Sequence, residues 1–305
     1  MLKVKEEYLF SDVENYLIDS ISVLIIGPQK DERTKAVYEK TCNKIMCIKL
    51  EYLYDEKQIF ITPIGQEMFK RKCSCLELDK FLLSLERYGF KYKNILIDIS
   101  SLQIPTIMAL LNTLFSSNKC RPAKLFVAYT KPVKYLAHDS SNYMFSTKLG
   151  KASSVPGYAA RAKDNEILIP FLGFEGARLR NIVGDTQYEK VIPIVGFPSD
   201  NPKWQFETMR NCMEEIKEQN AEYNIEKCKA NSIFEAYYLL EKLTVNTTKN
   251  YVLAPIGTKP HTVAATIFTL KHKTNCRLIY DFAVENYDQS SGVYNILVTH
   301  ISCFL

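Results

Sequence analysis

The chain has no apolar run approaching the ~20 residues that a membrane-spanning helix needs. Its longest apolar stretches, residues 94–99 and 191–197, suit buried strands. The opening Met1-Leu2-Lys3-Val4-Lys5-Glu6-Glu7 is charged and lacks the apolar centre of a signal peptide, so the expectation is a cytoplasmic location with no membrane contact. Nine cysteines, an odd number without dense regular spacing, exclude a disulfide scaffold and read as reduced, mostly buried small hydrophobes. Cys73-Ser74-Cys75 is the one close pair. Cys42 with Cys47, His272 with Cys276 and His300 with Cys303 offer other metal-like spacings, yet none builds the paired Cys-x-x-Cys sets of a structural zinc site. No metal is assigned and no motif calls for a cofactor. A net charge of +5 over 305 residues is too small to argue by itself for a nucleic-acid partner.

With 47% hydrophobic and 24% charged residues, the length accommodates two well-packed domains. Apolar runs at residues 22–26, 45–50, 94–99 and 124–129 read as strands. They alternate with helical segments at 31–41, 76–88 and 105–115, and a capping-box pattern from Ser11 to Glu14 opens an entry helix. The order repeats with strands at 166–172, 191–195, 251–253 and 276–281 and helices at 204–219, 232–243 and from Pro260 onward. Residues 293–305 alternate as a final strand, antiparallel at a sheet edge. Apolar strands alternating with helices are the pattern of parallel sheets covered on both faces. The expected fold is α/β, two Rossmann-like lobes with mostly parallel sheets: residues 1–135, a basic loop at 136–165, and 166–305.

The halves share more than element order. A shift of 156 positions lays Thr106 on Thr262, Ala109 on Ala265, Thr113 on Thr269, Leu114 on Leu270 and Ser101 on Gly257, while Gly27 corresponds to Gly173. An internal duplication is expected, with strand-end turns converging on a cleft. A homodimer is another way to make such a cleft.

The most informative stretch is residues 251–270, read as a buried strand, a tight turn and a helix opening at Pro260. Gly257 admits close backbone approach, Thr258 offers a hydroxyl, and Lys259 adds a cation. The helix N-terminus turns its N–H groups and positive dipole end toward an anion. A sharp strand-to-helix turn without a ligand uses the same residues. Ser100, Ser101, Gly27, Gly173 and Arg178 complete the expected ligand contacts, with Tyr129 or Phe174 to stack a base.

Pro255-Ile256-Gly257-Thr258-Lys259-Pro260 resembles the strand, Gly-Thr-Lys turn and apolar helix of the CARF domains, the CRISPR-associated Rossmann-fold sensor modules of prokaryotic antiviral defence. The resemblance spans about twenty residues and departs in having one glycine where two are usual. It implies binding of a cyclic or linear oligonucleotide second messenger, with Gly257, Thr258 and Lys259 as contacts.

Two other functions follow from other residues. An enzyme acting on a nucleotide or phosphorylated substrate would use His261, Asp98 and Glu175 as acid–base groups. Each has a plainer role: His261 as a helix residue, Asp98 as a turn or cap, and Glu175 in an ion pair with Arg178. An interaction subunit would dock a protein partner on its final strand. Finally, residues 119–163 hold nine basic side chains against one acid, Asp139, with four tyrosines interleaved. That stretch suits either a nucleic acid or a solvated linker.

Overall fold

The structure, a computed structural model, describes residues 7–41, 44–136, 145–158, 163–184, 186–285 and 290–305. The chain forms two compact units, one of Met1–Leu136 with Tyr287–Leu305 and one of Ala137–Asn286. The first carries β1 (Glu7–Leu9), α1 (Phe10–Ser20), β2 (Val23–Ile26), α2 (Glu32–Thr41), β3 (Met46–Leu53), β4 (Gln58–Pro63), β5 (Arg71–Ser74), α3 (Leu78–Leu85), β6 (Asn94–Asp98), α4 (Ile104–Ser116) and β7 (Lys124–Tyr135). The second carries β8 (Ser146–Lys148), β9 (Ser153–Ser154), β10 (Glu166–Phe171), α5 (Gly176–Val183), β11 (Lys190–Val191), β12 (Ile194–Gly196), α6 (Pro202–Glu218), β13 (Glu226–Cys228), α7 (Ile233–Leu243), β14 (Asn250–Pro255), α8 (Lys259–Lys271), β15 (Cys276–Tyr280) and β16 (Val284–Glu285). The last strand, β17 (Ser290–His300), returns to the first unit.

The fold class is α/β, as expected. In the first sheet, β3, β2, β6 and β7 are parallel neighbours, flanked by antiparallel β4 and β5 on one side and by β17 and β1 on the other. In the second, β13, β12, β10, β14 and β15 run parallel, and β9 closes the edge antiparallel. Strand alternation sends Leu24, Leu96, Phe126 and Val298 toward α1 and α2, where Leu17 and Val37 meet them. Leu168, Val252 and Ile279 do the same toward α5 and α6 through Leu179, Ile182 and Ile216.

The helices α4 and α8 follow equivalent strands and are nearly buried all round, as the apolar and small residues on every face require. Thr113 and Thr269, aligned by the 156-residue shift, each donate to the carbonyl four residues back, Ala109 and Ala265, at 3.0 and 2.8 Å.

Three boundaries differ from expectation. Residues 293–305 were expected in the second lobe, but β17 pairs with β7 and β1 and stops at His300. The strand expected to end at residue 129 continues to Tyr135, because Pro132, which cannot donate to a ladder, falls beside a register shift in β17. Ser11 lies inside α1 rather than capping it. Its hydroxyl bonds Asp12, and Leu9 stands at the cap.

Candidate functional site

From β10 the second sheet grows outward through β12 and β13, then returns to the other side of β10 as β14. The C-terminal ends of β10 and β14 flank this reversal of strand order, where open α/β sheets leave a crevice. Leu172-Gly173-Phe174-Glu175 leads from β10 into α5, and Ile256-Gly257-Thr258 from β14 into α8. The two turns abut. A Cβ on Gly173 would lie 2.6 Å from the Ile256 carbonyl oxygen, and one on Gly257 2.5 Å from that of Leu172. Neither glycine has a positive φ, so close backbone approach is what demands them.

Thr258 caps α8. Its Oγ1 accepts from the His261 N–H at 3.4 Å and donates to the Ala230 carbonyl at 2.7 Å. The helix opens at Lys259, half-buried, with Pro260 next and no acidic residue in the first turn. Its dipole end is thus left with its positive sign. The neighbouring turns are laced to this one: Phe197 N–H donates to the Cys228 carbonyl (2.6 Å) and Ala230 N–H to that of Pro198 (3.1 Å). Phe197 is 41% exposed, and the Lys227 ammonium lies 5.2 Å from its ring centre. Two carboxylates nearby are already engaged, Asp200 by Asn231 (2.6 Å) and Glu235 by the Lys229 N–H (3.4 Å).

Arg178 sits behind the turn, buried. Its Nε and Nη2 donate to the two Asp281 oxygens at 2.8 and 2.7 Å, and its Nη1 to the Ile256 carbonyl at 3.3 Å. Its charge is met by Asp281, so it braces the Gly257 turn instead of presenting a free cation. Glu175 does not pair with Arg178 in this way. Its carboxylate accepts from the Phe145 and Ser146 N–H groups (3.2 and 2.9 Å) and from the Ser146 hydroxyl (2.9 Å). His261 points into the core, 5.0 Å from the Phe171 ring. Burial pushes its pKa down to about 4, against a raising bond to the Lys229 carbonyl. The neutral ring therefore donates from Nε2 to that carbonyl at 3.0 Å, and Nδ1 is left as a buried acceptor without a hydrogen bond.

The corresponding crevice of the first unit lies between β2 and β6 and holds Gly27, Asp98, Ser100 and Ser101 together. Gly27 N–H donates to Ser101 Oγ (2.8 Å), which donates to the Asp98 carbonyl (3.0 Å). Ser100 N–H donates to Asp98 Oδ1 (3.0 Å), and Ser100 Oγ accepts from Thr130 N–H (2.6 Å). All four residues are buried, and both serine hydroxyls are held by backbone groups. The next helix, α2, is capped by Asp31, whose carboxylate accepts from Thr34 N–H at 2.7 Å, and Glu32 follows.

Within residues 119–163, Tyr129 and Tyr158 are buried, which removes their faces from a base, and Lys131 lies 5.3 Å from the Tyr294 ring. Asp139, Tyr143 and Arg161 fall outside the described residues. Among the described residues, no cluster of three or more His, Cys, Asp or Glu could hold a metal, the eight cysteines are free thiols, and no helix is long and apolar enough to cross a membrane.

Sequence reasoning passed over Phe197 and Asp281. The first stands in a strand-end Gly-Phe-Pro turn, a signal the sequence does carry. The second meets Arg178 only through the fold. No family model, curated protein or solved structure matches the chain.

Proposed function

We propose that the chain is a binding module for an anionic, nucleotide-like ligand, seated on the Gly257-Thr258-Lys259 turn of the second unit. One observation carries this reading: the strand-order reversal brings Gly173 and Gly257 together at the mouth of α8, whose first turn holds no acid and opens with Lys259. A helix N-terminus of this kind favours a negative charge by about 0.3–1 kcal/mol at an exposed site. A phosphate can also take N–H donors and a lysine. Phe197, exposed beside Lys227, offers a face on which a base can stack.

The CARF-like motif narrows the ligand to a cyclic or linear oligonucleotide second messenger, and the role to sensing in antiviral defence. Binding is preferred over turnover because the acid–base candidates are otherwise occupied: His261 is buried and neutral, Glu175 holds Phe145 and Ser146, and Asp98 holds Ser100.

The test is thermal unfolding against linear and cyclic nucleotides, oligoadenylates, NAD and short RNA, with chromatography of each mixture. A ligand at a hundredfold excess over Kd should stabilise by about 2.7 kcal/mol. Lys259→Ala should reduce that shift. Recovery of the ligand intact supports a sensor, and conversion makes the chain an enzyme. Equal binding by wild type and Lys259→Ala removes the turn as the site.

A further inference from the structure

A second candidate site lies in the first unit, where α1 covers the start of β7 and the end of β17. A cavity of about 250 Å³ opens there among Tyr8, Val13, Tyr16, Phe126 and His300. Four of its seven lining residues are aromatic, and Val13, Leu17 and Val298 complete the wall. The Phe126 and His300 rings stack at 4.6 Å with 20° between their planes, and Tyr16 meets Phe126 edge-on at 6.5 Å and 76°. Ser302 Oγ accepts the Leu125 N–H (2.7 Å) and lies 2.7 Å from His300 Nε2, which ties the imidazole to the sheet backbone. Lys124 is not among the lining residues, but its Nζ donates to the hydroxyl of the lining Tyr16 at 2.7 Å, 5.4 Å from that ring's centre.

We propose that this cavity binds a flat aromatic acid of one or two rings. Rings arranged face to face and edge to face accept a planar aromatic guest in the same geometries. The volume lies just under the ~300 Å³ at which sites for larger ligands begin, which limits the guest to one or two rings. Aromatic walls also suit a quaternary ammonium, but the Lys124 ammonium, held at the Tyr16 hydroxyl, repels a second cation. The same lysine attracts a carboxylate. The site is separate from the Gly257 turn, which belongs to the other unit.

Ligand-observed NMR with three probes tests this: indole-3-acetate, indole and phenyltrimethylammonium. Indole-3-acetate should bind saturably and more tightly than indole, and phenyltrimethylammonium should not bind. Lys124→Met should weaken indole-3-acetate about tenfold, the size of a lost charge-assisted hydrogen bond, and leave indole unchanged. Val13→Phe fills the cavity from α1 and should abolish binding of both indoles. If Val13→Phe does not fold, Lys124→Met still decides the matter. Gly257→Ala should change none of these affinities. Absence of saturable indole-3-acetate binding, indifference of that binding to Lys124→Met, or preference for the ammonium probe would overturn the proposal.

Discussion

In both units a glycine follows the first strand of a parallel core and faces the turn after the strand on the far side of the reversal. What it faces differs. Gly27 meets Ser101, whose hydroxyl takes its N–H, and the following helix is capped by Asp31 with Glu32 behind it. Gly173 meets Gly257 backbone to backbone; the helix after Gly173, α5, also begins beyond an acid, Glu175, whereas α8 after Gly257 opens with Lys259. One crevice is closed by its own hydroxyls, and the helix after Ser101, α4, opens without a charged residue. The other is narrowed by bare backbone under a positive helix end. Topology locates the crevice in each unit, and the side chains set the charge it presents to a ligand.

The sharpest way to break the second crevice is to remove its brace. Asp281→Ala leaves Arg178 buried without its carboxylate and should destabilise the chain by about 3–5 kcal/mol in urea unfolding. The paired change Arg178→Met with Asp281→Leu should recover most of that loss. A neutral Asp281→Ala would show that the ion pair does not hold the turn.

Acid should distinguish the units next. His261 has a folded pKa of about 4 against 6.5 unfolded, so its contribution is complete above pH 6.5 and is lost as pH falls toward 4. The loss amounts to roughly 3 kcal/mol, from the free-energy equivalent of one pKa unit. Burial lowers the His272 pKa as well, which adds to the loss in the same direction. Stability measured from pH 7 to 4 should fall less in His261→Gln than in wild type; parallel curves would contradict the buried neutral ring.

Glycine substitutions compare the two contacts directly. A Cβ at residue 27 would meet the Ser101 carbonyl oxygen at 2.0 Å, against 2.5 Å for residue 257 and Leu172. Both alanine variants should lose about 1–3 kcal/mol, Gly27→Ala more than Gly257→Ala. Calorimetry of the two variants gives the order. The smallest effect on stability belongs to Lys259→Ala, a half-buried lysine whose removal should change unfolding by about 0.5 kcal/mol or less while weakening nucleotide binding.

The alternation of strands and helices was legible because short apolar runs such as 94–99 and 166–172 can be satisfied only as buried strands between covering helices. The positions of Gly27, Ser101, Gly173 and Gly257 at strand ends followed from the same pattern, and the structure brings them together in pairs. The home of β17 was not legible. An alternating strand declares that one face is buried, not which sheet buries it, and its partner β7 lies more than 150 residues away in sequence. Nor was the state of the polar candidates. Arg178 is matched by Asp281 across 103 positions, and His261 turns inward to a carbonyl 32 positions away. Contacts of that range leave no local periodicity to read.

Hydrogen exchange with and without a cyclic oligoadenylate tests the central claim most directly. Ligand should slow exchange in peptides covering residues 172–178 and 256–262 and leave residues 26–31 and 99–103 unchanged. Protection confined to the first unit's turns, or no protection anywhere with any nucleotide of the panel, would contradict an anion site at the mouth of α8.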